Sequence, residues 1–319
     1  MKLLQLFEEL TLKTKKRVAI LIALAVAWLL TAIGIYGVGD YGMAVFIFIP
    51  FLLGFAPVII YGYKNELSRR GVINLGMAAS ILFLFSLLAF AFEGLICILM
   101  ALPLAVLFAY IGSIIGFEII ASKKHIKKGP GMVIVLIVII PSFSFVEHQI
   151  EPELNAVVTS IVIDATPDEV WENVIEFPHL KKPNEFIFKF GIAYPINAKI
   201  VGSGVGSIRY CNFTTGSFVE PITTWDKPKL LAFDVKDQPA PMKEMSFWDI
   251  DAPHLHDYFV SKKGQFKLVD LGNGKTKLIG TTWYYNHIKP NIYWNLWSEN
   301  IIHAIHDRVL IHIKKNSEN

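Results

Sequence analysis

Four histidines of the chain come in two short pairs, and imidazoles at such spacings can exchange protons or bind a metal ion. The pairs are His254 with His256 and His303 with His306, and an aspartate follows the second histidine of each pair. Three or four imidazole and carboxylate ligands suffice for zinc. The two pairs fall in separate predicted elements, however, and such pairs are a weak metal signal. We therefore predict no metal ion, and locally hydrogen-bonded histidines are the simpler interpretation.

Two charged residues, Arg209 and Glu220, lie on strands that we predict to be neighbours. They can form a cross-strand ion pair, and a solvated pair is the simpler interpretation. If the pair faces the interior, burying its charges costs free energy, and the pair becomes a candidate for binding the polar end of a ligand. Alternation does not decide between these positions, because Ile208 and Phe213 place apolar side chains on both faces of the strand.

Tryptophans are concentrated after residue 151, where six of the seven lie. Aromatic walls with a few polar groups are typical of small-molecule pockets, although such rings also fill ordinary cores. Trp283 and Trp297 are the candidates for a cavity, being on the last strand and the terminal helix. Trp248 lies in the long connection 237–255, which suits a lid or a contact with a bilayer surface; a packed insertion is the alternative. The candidate ligand-binding residues are Arg209, Glu220, Trp248, His254, Trp283, Trp297 and His306.

Local patterns predict the elements that position these side chains. Thr166 with Glu169 three residues later is a capping box, and Pro167 occupies the first helical position, so a helix begins here. The β-branched run 157–163 before it predicts a strand. Further strands are predicted at 196–201, 207–213, 217–225, 230–235, 258–269 and 276–285, with an Asn-Gly hairpin between the last two.

A long helix is predicted from Pro290 to about residue 315. Its apolar stripe is formed by Ile301, Ile305 and Val309, with Ile302 and Ile313 beside it. His306 borders this stripe, whereas His303 points away from it and would need cover from another segment, for which the connection 237–255 is a candidate.

The order of these elements resembles the SRPBCC superfamily, the helix-grip fold of START-type lipid carriers, pollen allergens and polyketide cyclases. The resemblance is carried by 161–171 (IVIDATPDEVW), 204–209 (GVGSIR), 224–234 (TWDKPKLLAFD) and the terminal helix. Within the superfamily, the chain most closely resembles membrane-anchored bacterial members of the polyketide cyclase/dehydrase and lipid transport group. The resemblance implies an α+β domain, with a curved antiparallel sheet wrapped on the C-terminal helix and an apolar cavity between them. These segments specify no activity.

The first 150 residues have the composition of membrane helices. The chain is 53% hydrophobic and 18% charged, and its apolar excess lies in the runs 18–38, 43–63, 73–92, 95–120 and 132–146. Four of these reach the ~20 residues that cross ~30 Å of hydrocarbon, whereas the fifth is short and contains Pro141. We predict an all-α transmembrane bundle of four or five helices over residues 1–150 and an SRPBCC/START-like domain over 151–319.

Basic residues predict the orientation of this bundle. All Lys and Arg residues before position 152 fall at 2–17, 64–70 and 123–128, on one side if the helices cross alternately. The intervening connections have none. The positive-inside rule then places the N-terminus in the cytoplasm. The resemblance to bacterial members implies that the membrane is the bacterial cytoplasmic membrane. If the fifth run crosses, the C-terminal domain is extracytoplasmic.

The charge and motif content of residues 152–319 narrows the function. Basic and acidic residues are nearly balanced there, without the clustered positive charge that a nucleic acid partner needs. No nucleophile elbow, metal motif or phosphate loop occurs, so we predict no cofactor. The function predicted is a binding or carrier protein for a lipid or another hydrophobic small molecule. The alternatives are a cyclase- or hydrolase-type enzyme using His254, His306 or Glu220 as acid or base, and a ligand-responsive regulatory or assembly protein.

Overall fold

The computed structural model describes residues 10–62, 65, 68–122, 129–246, 248 and 250–319. The chain divides into two compact units. The first, here called the helical unit, comprises Met1–Glu151 with Ser246–Ile250. The second, the sheet unit, comprises Pro152–Met245 with Asp251–Asn319.

The described residues of the helical unit form five helices that are long and apolar enough to cross a membrane. The first and second are extended by π-helical turns, at Ile33–Val38 and Ala44–Phe48 respectively. The α-helices are α1 (Leu12–Ala32), α2 (Ile49–Gly62), α3 (Arg69–Ala89), α4 (Leu95–Ala121) and α5 (Gly129–His148).

The fifth apolar run forms a full-length helix because residues on both sides of 132–146 join it. α5 has 20 residues, which at ~1.5 Å per residue reach the ~30 Å of a bilayer core. The basic segment 123–128 lies outside the described residues. So do parts of the other two basic clusters and their neighbours, at residues 1–9, 63–64 and 66–67. The orientation of the bundle therefore stays a prediction.

Helices α2 and α4 approach closely because glycines leave their backbones uncovered. A Cβ on Gly54 would lie 2.0 Å from the carbonyl oxygen of Ala109, and one on Gly112 would lie 2.2 Å from that of Phe51. Small residues at such contacts are typical of packed membrane helices. A larger residue at either position must push the two helices apart.

One end of the bundle holds buried carboxylates from segments that are far apart in sequence. The Ser144 hydroxyl donates to Asp40 Oδ2 at 2.6 Å, and the Met43 N–H donates to Glu147 Oε2 at 2.7 Å. Asp40, Ser144 and Glu147 are buried, and we call them the carboxylate cluster. A Cβ on Gly42 would lie 2.1 Å from Glu147 Oε2, so a larger residue there would have to displace this carboxylate. The sequence patterns did not indicate this cluster.

The sheet unit is a curled seven-stranded antiparallel sheet with a long helix packed on it. Across the sheet the strands follow the order β1, β7, β6, β5, β4, β3, β2. They are β1 (Asn155–Ile163), β2 (Pro195–Val201), β3 (Ile208–Phe213), β4 (Gly216–Asp226), β5 (Leu230–Asp234), β6 (Phe259–Gly272) and β7 (Lys275–Asn286). The remaining helices are α6 (Pro167–Ile175), the short α7 (Phe186–Lys189) and the long C-terminal α8 (Asn291–Ser317). This architecture confirms the predicted fold class.

The local sequence signals of the sheet unit form the predicted structures. Glu169 accepts hydrogen bonds from the Thr166 N–H at 2.7 Å and from its hydroxyl at 2.8 Å, and Pro167 opens α6. Between β6 and β7, Asn273 and Gly274 have φ angles of 54° and 69°, which a tight hairpin turn requires. Each signal acts within a few residues, so the sequence alone suffices to predict it.

The core of the sheet unit lies between the sheet, α6 and α8. The stripe of α8 is rotated by part of a turn from its predicted position, since Ile301 and Ile305 are only half-buried. The rotation places Ile302 in a small cluster with Val157, Tyr284 and Phe259 at one end of the sheet. The apolar residues of α8 that are fully buried are Trp294, Ile302, Val309, Leu310 and Ile313.

Candidate functional site

A cavity of about 120 Å³ lies between the sheet and α8. Its wall is mainly apolar and comes from β3 to β7 and from the sheet-facing side of α8. Phenylalanines dominate it: Phe213, Phe218, Phe233, Phe259 and Phe266. The polar or charged residues in the wall are Arg209, Glu220, Ser261, Lys263, Gln265, Thr281, Thr282 and His306.

Arg209 and Glu220 form an ion pair that is buried in this wall. They are directly opposed on β3 and β4, and Arg209 Nη1 contacts Glu220 Oε2. Arg209 Nε also donates to the Ile175 carbonyl at 3.1 Å. The guanidinium lies 5.5 to 5.6 Å from the ring centroids of Phe177, Phe233 and Phe266. The interpretation of a solvated pair is therefore wrong, because these rings cover the face of β3 that carries Arg209.

Burial also controls the ionisation of the groups around this pair. It raises the pKa of the Glu220 carboxyl, and the guanidinium of Arg209 opposes the rise. Burial raises the pKa of the neighbouring Cys211 thiol to about 12. The thiol is therefore protonated at neutral pH and is a poor nucleophile.

His306 contributes a half-buried imidazole to the wall and is held by two threonines. Its Nδ1 lies 2.9 Å from Thr159 Oγ1 on β1, and its Nε2 lies 2.8 Å from Thr282 Oγ1 on β7. His303 is exposed one turn earlier and places its Nδ1 2.8 Å from the same Thr159 oxygen. The contact that His303 needs therefore comes from β1, and not from the connection 237–255. Burial and, secondarily, the charge of His303 lower the pKa of His306 to about 4, so His306 is neutral at pH 7.

The three tryptophans proposed as ligand contacts lie outside the cavity lining. Trp283 on β7 has Lys263 Nζ 4.9 Å from its ring centroid. Trp297 is half-buried on the first half of α8, and Trp248 is 59% exposed. Phenylalanines, rather than tryptophans, therefore form the aromatic part of the wall.

The other histidine pair has local carboxylate partners. His254 Nε2 lies 3.3 Å from Glu244 Oε1, and His256 Nε2 lies 2.5 Å from Asp251 Oδ1. Within the described residues of the sheet unit, no three His, Cys, Asp or Glu side chains converge as ligands would. Of the seven residues proposed from sequence, Arg209, Glu220 and His306 meet at the cavity.

The phenylalanines and threonines of the wall were not singled out from the sequence. On β3 and β4 the wall residues, including the charged pair, occupy every second position, as one face of a strand requires. The inward-facing residues are Arg209, Cys211 and Phe213 on β3, and Phe218 and Glu220 on β4. This repeat is the signal that would have found the wall, and Arg209 and Glu220 concealed it because charged residues ordinarily mark an outer face.

Comparison with known proteins gives distant structural likenesses at low sequence identity. No family model and no curated protein matches it. Norcoclaurine synthase from Thalictrum flavum, solved with dopamine and hydroxybenzaldehyde, is 15% identical over 52% of this chain and 88% of its own, with a TM-score of 0.34. The Zhui aromatase/cyclase from a Streptomyces species is 12% identical over 52% and 94%, with a TM-score of 0.33. XoxI from Bacillus cereus is 12% identical over 50% and 93%, with a TM-score of 0.32. A fold does not specify function, so the side chains of this cavity have to indicate it.

Proposed function

We propose that the chain is a membrane-anchored binding protein whose sheet unit holds a small, mainly apolar molecule in the cavity between the sheet and α8. The observation that supports this most directly is the composition of the cavity wall. Its phenylalanine rings offer apolar contact, whose burial drives binding. Arg209, Glu220 and His306 place polar groups in the same wall, where they can orient a ligand.

The cavity volume limits the size of this ligand. An apolar cavity of roughly 150 Å³ accommodates benzene. The 120 Å³ available here therefore suits about one ring or a short alkyl chain. The ligand class that we propose is a small aromatic or short-chain molecule with one polar group. A lipid would fit only through a single apolar segment, with the remainder outside the cavity.

Five apolar helices support the anchoring part of the proposal. The positive-inside pattern and a crossing by α5 would put the sheet unit outside the cytoplasm of a bacterial cell. A reporter fused after Asn319 that is active only outside the cytoplasm should then be active. Activity of the matching cytoplasmic reporter at that position would contradict this orientation.

The binding function is tested by mass spectrometry of organic extracts from the purified full chain. Gly280 faces α8 on β7, and a Cβ there would lie 3.7 Å from Leu310 Cδ2. Gly280→Ala thus adds one methyl group at ordinary contact distance, whereas Gly280→Leu fills the cavity. We expect an apolar compound that is enriched with wild type and Gly280→Ala and lost with Gly280→Leu. Identical extracts from wild type and Gly280→Leu would contradict the proposal.

An enzyme acting on a hydrophobic substrate is the second candidate function. It is favoured by the position of His306 in the cavity wall, where the neutral imidazole can contact a bound molecule, although a pKa of about 4 makes it a weak base. If the compound found in the extract is converted by the protein, His306→Gln should abolish turnover and retain binding. A binding protein should release the same compound unchanged from both proteins.

A further inference from the structure

A chain of hydrogen bonds runs from the surface of the sheet unit to the cavity. It begins at the exposed His303, whose Nδ1 lies 2.8 Å from Thr159 Oγ1. Thr159 Oγ1 in turn lies 2.9 Å from His306 Nδ1, and His306 Nε2 lies 2.8 Å from Thr282 Oγ1. His306 and Thr282 line the cavity, whereas His303 and Thr159 do not.

Thr159 and neutral His306, the inner members of this chain, each have two neighbours but only one hydrogen to donate. The Thr159 hydroxyl faces two imidazole nitrogens and can donate to only one of them, so the other nitrogen has to donate to Thr159. A neutral His306 likewise donates from one ring nitrogen and accepts at the other. When the Thr159 hydrogen points to one of these two nitrogens, the direction of hydrogen bonding at one end of the chain fixes the direction at the other end.

We propose that the charge of His303 sets the hydrogen-bonding character of Thr282 toward a ligand in the cavity. Protonated His303 carries hydrogens on both ring nitrogens and must donate to Thr159. Thr159 then donates to His306 Nδ1, and His306 Nε2 donates to Thr282. The Thr282 hydroxyl thereby keeps its own hydrogen for the ligand and acts as a donor.

When His303 loses its proton, the hydrogen bonds of the chain can run in the opposite direction. Thr159 can then donate to His303, His306 Nδ1 donates to Thr159, and His306 Nε2 accepts the hydrogen of Thr282. In this state Thr282 offers only oxygen lone pairs to the cavity. The hydrogen-bond chain follows from the geometry alone, whereas its effect on a ligand rests on the proposed binding function.

His303 is exposed, whereas His306 is half-buried in the cavity wall. Burial holds the pKa of His306 at about 4, below the range of about pH 5 to pH 8 in which histidine ordinarily changes charge. Glu299 and Asp307 lie one turn to either side of His303 on α8 and are exposed, and Lys263 of β6 lies in the cavity wall. The adjoining stretches of β1 and β7, residues 157–161 and 280–283, contain no charged side chain.

The hydrogen-bond chain is tested by nitrogen NMR on the full chain with ¹⁵N-labelled histidine in detergent micelles. Signals are assigned from His303→Gln and His306→Gln. From about pH 8 to about pH 5.5, the hydrogen of His306 should move to Nε2 as His303 becomes protonated. Thr159→Val should abolish this coupling, and Thr159→Ser, which keeps the hydroxyl, should restore it. An unchanged His306, or a change that persists in Thr159→Val, would overturn the proposal.

The effect on ligands is measured with furan, which only accepts hydrogen bonds, and pyrrole, a ring of the same size that donates one. As His303 becomes protonated, furan should bind about tenfold more tightly and pyrrole about tenfold more weakly, the effect of one hydrogen bond. The same pH dependence for both probes would overturn the role of Thr282. If neither probe binds while the NMR coupling is present, the hydrogen-bond chain is supported and the binding function proposed for the cavity fails.

Discussion

Replacement of Arg209 by methionine tests whether the buried ion pair is a constraint that the fold must satisfy. Methionine keeps an unbranched apolar chain against the three surrounding phenylalanines but removes the charge that faces Glu220. It also removes the Nε–H that the Ile175 carbonyl accepts at 3.1 Å. Glu220 is left as a buried carboxyl without its guanidinium.

The expected destabilisation follows from the burial of both partners, whose side chains are 2% and 7% exposed. Removing one member of such a pair costs about 3–5 kcal/mol, whereas replacing both with apolar residues is often neutral or stabilising. For a unit of this size, the single variant Arg209→Met should lower the Tm by roughly 6–20 °C. The double variant Arg209→Met/Glu220→Leu should stay within a few degrees of wild type.

The effect of pH on Arg209→Met has a definite sign. Burial raises the pKa of Glu220 above its ordinary value of 4.5, and this rise is no longer opposed once Arg209 is gone. Stability linked to a raised pKa is present below the unfolded value and is lost as the pH rises through the folded value. The variant should therefore be closer to wild type at low pH than at high pH.

Thermal unfolding of the full chain in detergent, followed by tryptophan fluorescence, measures these effects, because six of the seven tryptophans lie after residue 151. The matched control is Lys227→Met, which breaks an exposed ion pair with Glu172 at 2.7 Å and should barely change the Tm. A drop for Arg209→Met no larger than that of Lys227→Met would refute the reasoning. A double variant as unstable as the two single variants combined would refute it as well.

Three further changes have defined outcomes. Because the pKa of His306 is lowered from 6.5 to about 4, wild type should lose up to about 3 kcal/mol of stability as the pH falls from 6.5 toward 4, and His306→Gln should flatten that part of a Tm-against-pH curve. Gly54→Ala, whose Cβ would lie 2.0 Å from a backbone oxygen, should destabilise the helical unit by about 1–3 kcal/mol, measured as loss of the monodisperse size-exclusion peak after heating. Gly131→Ala, with nothing within 4 Å of the added Cβ, is its control and should leave that peak unchanged. Thr166→Ala removes the cap of α6 and should cost about 1 kcal/mol in thermal unfolding, whereas an unchanged Tm would show that the capping box is dispensable.

The elements that sequence predicted well are those whose causes are local. The capping box of Thr166 and Glu169, the Asn-Gly hairpin and the length of the apolar helices in the helical unit each depend on a few adjacent residues or on one continuous run. The antiparallel neighbours β3 and β4 also follow from chain order, since short connections favour adjacent strands. This is why Arg209 and Glu220 were expected opposite each other.

What the sequence did not reveal depends on orientation in three dimensions. Whether Arg209 faces in or out is decided by the curl of the sheet and by the rings that fold over it, and neither is encoded in β3 alone. The rotation of α8 likewise moved Ile302 into the interior and brought His303 to Thr159, a contact between residues 144 positions apart. The curl of the sheet and the rotation of α8 depend on contacts between residues far apart in sequence. They determine the wall of the cavity, which is lined by phenylalanines and not by Trp283 and Trp297.

The carboxylate cluster also has a consequence for the order in which the helices of the helical unit come together during synthesis. The contacts from Ser144 to Asp40 and from Met43 to Glu147 each join residues 104 positions apart. At about 5–20 residues translated per second, the first helical hairpin is complete roughly 5–20 s before the fifth helix can supply these partners. Packing of the fifth helix is therefore the step that completes this cluster, and a nascent chain truncated before residue 144 lacks the partners that Ser144 and Glu147 supply.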